Sequence, residues 1–197
     1  MSVQEEALEE KRLLSKTSIG FWLYLMTDCL LFATLFATFA VLRDATAGGP
    51  AGRDIYEMPL VLAETLILLT SSFACGLALI AMTQKNIRQV LIALGVTFIL
   101  GATFLFIEVS EFVKLIGEGY GPQASAFLSA FFTLVGTHGL HVFIGLLWLT
   151  ILAYAIWRRG ITGKLTRQVT LFGLFWHFLD LIWIFVFTVV YLMGVVK

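Results

Sequence analysis

Along the chain, long apolar runs alternate with short polar or glycine-rich joints. A membrane crossing needs about 20 mostly apolar residues to span a hydrocarbon core about 30 Å thick. Five runs meet that measure, at residues 21–42, 60–82, 90–107, 124–156 and 169–196. An open sheet cannot satisfy its backbone polar groups in lipid, so all five are expected to be helices. The predicted fold class is an all-α integral membrane protein, a bundle of five transmembrane helices. At 1.5 Å per residue, the fourth run of about 33 residues exceeds the bilayer and must tilt or project. Thr46-Ala47-Gly48-Gly49-Pro50-Ala51-Gly52 breaks the chain between spans one and two, and Gly117, Gly119, Gly121 and Pro122 break it before span four. Residues 83–89 make so short a joint that spans two and three are antiparallel neighbours. Residues 1–18 read as a polar tail and residues 19–197 as one membrane domain, without internal repeat or low-complexity segment.

Composition narrows the function classes. Hydrophobic residues make up 59% of the chain and charged ones 13%, against about 45–50% and about 25% in soluble domains. Thirteen basic and thirteen acidic side chains cancel, leaving no net field to attract a polyanion. An ordinary soluble enzyme, a disordered tail and a nucleic-acid binder are excluded. Cys29 and Cys75 both lie in apolar runs, where thiols act as small hydrophobes. Their number rules out a disulfide framework or a cysteine zinc site. The N-terminus, with Glu5, Glu6, Glu9 and Glu10 ahead of Lys11 and Arg12, is not expected to be a secretory signal.

Lys and Arg set the expected orientation. Lys11, Arg12, Lys16, Lys85, Arg88, Arg158, Arg159, Lys164 and Arg167 fall on one side, and Arg43, Arg53, Lys114 and Lys197 on the other. The richer side should face the cytoplasm, placing the N-terminus inside and the C-terminus outside. Phe21, Trp22, Tyr24 and Trp157 fit as interfacial anchors at the inner side. Small residues at spacing three or four are expected to let helices approach closely. They are Ala126, Ser129, Ala130, Thr133 and Gly136 on span four, and Ala33 and Ala37 on span one.

Ionisable groups inside a span cost about 2.5–3.5 kcal/mol each on insertion scales, so each needs a reason. The candidates are Asp28, Glu64, His138, His141, His177 and Asp180, with Glu108 and Glu111 at the outer end of span three. Glu108/Glu111, His138/His141 and His177/Asp180 have i, i+3 spacing and share a helix face. One reading is polar side chains satisfying each other between helices. Another is haem or metal ligation by the histidines, as in a di-haem membrane anchor. Counted from the cytoplasmic ends, His177 lies about 8 residues in and His141 and His138 about 15 and 18, a difference of roughly 10–15 Å that disfavours one shared centre. A small transporter would call for a repeat or an interrupted helix, and neither is present. Asp28, about as deep as His177, is expected to bond across the bundle to His177 or Asp180. Glu64 is expected to reach the headgroup region, and Glu108 and Glu111 to line the outer surface. No P-loop, GxGxxG or HExxH occurs, and Ser71-Ser72 has no base close in sequence.

Five ordered segments carry a family resemblance. Residues 21–32 (Phe-Trp-Leu-Tyr-Leu-Met-Thr-Asp-Cys-Leu-Leu-Phe) come first, then Glu64-Thr65 with Ser71-Ser72. Glu108-Val109-Ser110-Glu111-Phe112 follows, then Gly136-Thr137-His138-Gly139-Leu140-His141-Val142 with Gly145 and Trp148. Phe175-Trp176-His177-Phe178-Leu179-Asp180 with Trp183 and Tyr191-Leu192 comes last. Together they resemble subunit III of the haem–copper terminal oxidases in its five-helix form, over residues 19–194. The lack of two further N-terminal helices, the Thr46–Pro50 joint and the Leu192-Met193-Gly194 ending resemble the cytochrome bo ubiquinol-oxidising branch; cytochrome c and menaquinol oxidases also have five-helix forms. The resemblance implies a non-catalytic subunit of a proton-pumping oxidase in the bacterial cytoplasmic (inner) membrane, partnered by subunits I, II and IV. Haems and copper would sit in subunit I, and no haem, copper, quinone or catalytic centre in this chain; phospholipid would bind in a cleft between helices. Asp28 corresponds to a carboxyl near proton entry, where the family often has Glu. Asp28, His177 and Asp180 are thus candidates for proton uptake or packing, and Glu64, Glu108, Glu111, His138 and His141 for lipid or interhelix contacts.

Overall fold

The structure, a computed structural model, describes the backbone of residues 3–50 and 52–196 and the side chains of residues 16–50, 52 and 55–194. The side chains of Lys11, Arg12, Arg53 and Lys197, used in the charge count, lie outside the described residues. The elements are α1 (Val3–Leu42), a single turn α2 (Gly52–Ile55), α3 (Met58–Thr83), α4 (Ile87–Gly117), α5 (Ala126–Arg159) and α6 (Gly163–Val186). A π-helical turn (Phe187–Leu192) continues α6 into a last short helix, α7 (Met193–Val196). Among the described residues there is no strand. Five stretches are long and apolar enough to cross a membrane: Lys16–Leu42, Met58–Thr83, Ile87–Gly117, Ala126–Arg159 and Gly163–Leu192.

Local chemistry marks the helix ends. Asn86 caps α4 by accepting from the Gln89 amide at 3.3 Å. Ser125 caps α5 by accepting from Leu128 at 3.1 Å, and Thr162 caps α6 by accepting from Leu165 at 3.3 Å. Each side-chain oxygen satisfies an amide with no partner inside its helix. Pro59 sits in the first turn of α3, where its missing N–H costs nothing. Gly160 ends α5 at φ 71°, a left-handed conformation that favours glycine. The third span runs on to Gly117 instead of stopping at residue 107. Hydropathy falls at Glu108, Glu111 and Lys114, but the apolar residues between them keep the helix packed, so the charges interrupt the apolar run without ending the helix.

Helices α3, α4, α5 and α6 close into a four-membered ring, each touching the next, and α1 lies outside it against α5 and α6. Trp176, Trp183, Phe104, Phe131 and Phe172 fill the ring and are fully buried. Without a hydrophobic driving force between helices in lipid, close van der Waals fit holds such a ring together. Trp176 shows how the fit is made. A Cβ at Gly101 of α4 would come within 2.9 Å of its ring, and one at Gly145 of α5 within 2.8 Å. The indole occupies the space that two glycines on facing helices leave open. The expected small-residue contacts lie elsewhere: Ala126, Ser129, Thr133, Ala33 and Ala37 are exposed, and only Ala130 of the set is buried. Spacing puts these residues on one stripe, but the rotation of α1 and α5 turns most of that stripe away from the bundle.

Candidate functional site

The polar residues fall into three groups, two of them joining helices through hydrogen bonds or charge. The first is a ladder between α3 and α6. Trp183 Nε1 donates to Thr65 Oγ1 at 3.1 Å, Trp176 Nε1 donates to Ser71 Oγ at 3.2 Å, and Ser71 Oγ donates on to the Thr97 carbonyl of α4 at 3.2 Å. Ser72 Oγ and His177 Nδ1 are 2.6 Å apart, and Asp180 lies against both. In sequence Ser72 has no neighbouring base; the antiparallel register of α3 and α6 brings one to it. The imidazole meets the serine through Nδ1, and Asp180 stands beside the serine as well as the imidazole. That arrangement ties two helices together. It lacks the serine–imidazole–carboxylate relay order of a hydrolase, in which the acid orients the imidazole from its far side.

The second group joins α1 to α5. His141 Nε2 lies 3.7 Å from Asp28 Oδ2, both side chains nearly buried, while His141 Nδ1 meets the Thr137 carbonyl at 2.7 Å. A ring nitrogen facing a carbonyl must carry the proton, which leaves Nε2 as the acceptor edge of a neutral imidazole or, when charged, the partner of Asp28. The expected bond from Asp28 to His177 or Asp180 is not formed. Equal depth was the basis for it, but depth does not fix rotation about the helix axis. α1 packs chiefly on α5, so Asp28 meets His141, and His177 turns towards α3.

The third group lies near the end of the bundle that carries the α1–α3 and α4–α5 joints. Glu64, Glu108 and Glu111 are 0%, 2% and 7% exposed. Neither an outer-surface position for Glu108 and Glu111 nor a headgroup position for Glu64 describes them, because α4 continues past them and packs on α3. Glu108 lies across α5, where a Cβ at Gly139 would come 3.2 Å from its Oε1. His138, next to that glycine, is fully buried with neither ring nitrogen bonded. Its ring is enclosed by Phe32, Phe104 and Trp183, the last at 5.1 Å between centroids. His138 and His141 share a helix yet serve different neighbours. Tyr56, between α2 and α3, packs at a tilt against Tyr191, with 4.7 Å between ring centroids; burial, and then the charge of Glu111, push its phenol above the ordinary value. Lys114 pairs with Glu57 at 2.5 Å on the surface. Among the described residues, no three His, Cys, Asp or Glu side chains converge to hold a metal ion.

Tyr56, Tyr191, Trp176 and Trp183 were not foreseen as members of these groups. The signal was present in the last two, since Trp176 and Trp183 repeat after two helical turns, and their partners Thr65 and Ser71 lie close to two turns apart. Such a repeat on two antiparallel helices is what a ladder requires.

Comparison with known proteins bears on the whole chain. Residues 9–195 match the family described as cytochrome c oxidase subunit III. The chain is 59% identical over 178 residues to cytochrome bo(3) ubiquinol oxidase subunit 3 of Pseudomonas aeruginosa, covering 90% of this chain and 85% of that one. It is 46% identical over 187 residues to the protein of the same name from Buchnera aphidicola subsp. Baizongia pistaciae, covering 95% and 96%. It is 44% identical over 178 residues to cytochrome c oxidase subunit 3 of Bacillus sp. strain PS3, covering 90% and 86%.

Proposed function

Because the chain belongs to the cytochrome c oxidase subunit III family, we propose that it is the non-catalytic subunit III of a proton-pumping ubiquinol oxidase in a bacterial inner membrane. The whole complex would oxidise ubiquinol, reduce oxygen to water and move protons outward. Subunits I, II and IV are its partners, with haems and copper in subunit I. The observation that carries the quinol donor is the identity of 59% to a ubiquinol oxidase subunit, against 44% to a cytochrome c oxidase subunit, over the same length. The side-chain geometry supports a role without a redox centre. His141 and His177 are each engaged with a partner on another helix, and aromatic rings enclose His138.

In this reading the chain keeps subunit I in working order. The ladder between α3 and α6 and the Asp28–His141 contact hold the bundle rigid, and the exposed apolar faces carry phospholipid and subunit I. Asp28 supports proton uptake from the cytoplasmic side, where the greater number of Lys and Arg residues places the N-terminus. Co-purification in mild detergent tests the proposal. A tagged chain should bring down haem-containing subunits and ubiquinol-driven oxygen consumption. A complex driven only by cytochrome c would refute the donor, and haem bound to this polypeptide itself would refute the non-catalytic role.

A further inference from the structure

Three glutamates of two antiparallel helices meet inside the bundle: Glu64 of α3, and Glu108 and Glu111 of α4. All six carboxyl oxygens lack a hydrogen-bond partner among the described residues, and each group lies within electrostatic reach of another of the three. A second feature points into the same space. Tyr191 is 0% exposed, its hydroxyl is unpartnered, and it lies within reach of all three carboxyls. It sits in the π-helical turn, whose extra residue re-aims the side chains that follow, a device common at functional sites. Tyr56 brings a second unpartnered hydroxyl. An open cavity of about 530 Å³, bordered by Tyr56, Ser110, Glu111 and Lys114, reaches this group from the surface at its Tyr56 and Glu111 edge.

Among the described residues, these acids are balanced only in part: Lys114 acts on Glu111. Lys114, the basic group at the cavity mouth, is paired with Glu57, and Glu118 beside it adds negative charge. On the α5 side, His138 is enclosed by aromatic rings and His141 is turned to Asp28. Three bare carboxylates without water or protons in such a setting would be strongly unfavourable. A bound metal ion would need ligands converging on one point, and among the described residues none do. Protons and water remain, and the space is both polar and roomy enough for water.

We propose that Glu64, Glu108 and Glu111, with the hydroxyls of Tyr56 and Tyr191, form a hydrated proton-holding site that exchanges with bulk water through the cavity beside Lys114. A proton enters from hydronium in the cavity onto the Glu111 carboxylate, releasing water. It passes through bridging water to Glu108 or Glu64, while the phenols donate hydrogen bonds to whichever carboxylate is left. The site lies at the opposite end of the bundle from the basic loops and is separate from Asp28. It stands whichever electron donor the complex uses.

Infrared spectroscopy of the full chain, purified from its membrane with its partner subunits, tests this. At neutral pH the wild type should show carbonyl stretches of protonated carboxylic acids. Glu108→Gln and Glu111→Gln should each remove intensity there, and transfer to heavy water should shift the bands promptly. Leu60→Trp narrows the cavity without replacing a carboxyl, so it should keep the bands and slow their shift several-fold. Three results would overturn the proposal: no acid intensity lost in either glutamine variant, bands unmoved by heavy water, or exchange in Leu60→Trp as fast as in wild type.

Discussion

Trp183 of α6 donates its indole hydrogen to the Thr65 hydroxyl of α3 at 3.1 Å, with both groups buried. Two turns away, the same two helices repeat the device with Trp176 and Ser71. In a membrane such bonds average about 0.6 kcal/mol and reach about 1.7 kcal/mol. Trp183→Phe keeps the ring and removes the donor, so it should destabilise the protein within that range. Thermal unfolding in detergent checks it, and Trp183→Phe combined with Thr65→Val should cost less than the sum of the two single changes, because both remove this one bond while Thr65 also donates to the Val61 carbonyl. Additive losses would mean that the two residues do not act as a pair.

Trp176 fills the gap between Gly101 and Gly145, and a methyl at either glycine would overlap its ring. Gly145→Ala should cost about 1–3 kcal/mol by overpacking. Trp176→Leu vacates that space, so combining it with Gly145→Ala should recover part of the loss seen for the glycine change. A double variant worse than the sum of the singles would show that the packing relation is misread.

Asp28 is held to α5 by His141. Asp28→Asn keeps the size and removes the charge. Haem content of the complex should be unchanged, while oxygen consumption should decline sooner during sustained turnover. His141→Gln should shift this decline in the same direction if the contact positions the carboxylate. Equal long-run turnover in wild type and Asp28→Asn would remove Asp28 from proton uptake.

The phenol of Tyr56 is pushed above its ordinary value, by burial first and by Glu111 second. A raised value in the folded state means the stability it contributes is complete below the unfolded value of about 10 and is lost as pH rises past it. Tyr56→Phe should therefore flatten the fall of unfolding temperature above about pH 10 and leave neutral pH little changed. Identical alkaline limbs would contradict it.

Much of this was legible in the sequence, and what was not has a common cause. Five apolar runs gave five crossing helices, because lipid allows few alternatives to a helix. The ionisable residues were also visible, since each is exceptional in an apolar run. Their partners were not. Asp28 and His177 match in depth, yet the rotation of α1 and α6 sends them to His141 and Ser72. The stripe from Ala126 to Gly136 is regular in sequence, but tertiary packing decides which face of α5 turns inward. Glu108 and Glu111 looked like the end of a span, whereas α4 carries them into contact with α3 and α5. Periodicity assigns residues to a face of their own helix, and only packing assigns that face to a neighbour.

The most direct measurement is ubiquinol-driven oxygen consumption, followed through prolonged turnover, of the complex purified with and without this chain. The expected result is intact haem and a similar initial rate in both, with faster inactivation where the chain is missing. An initial rate that vanishes together with haem, restored only when this polypeptide returns with haem bound to it, would contradict a non-catalytic subunit III.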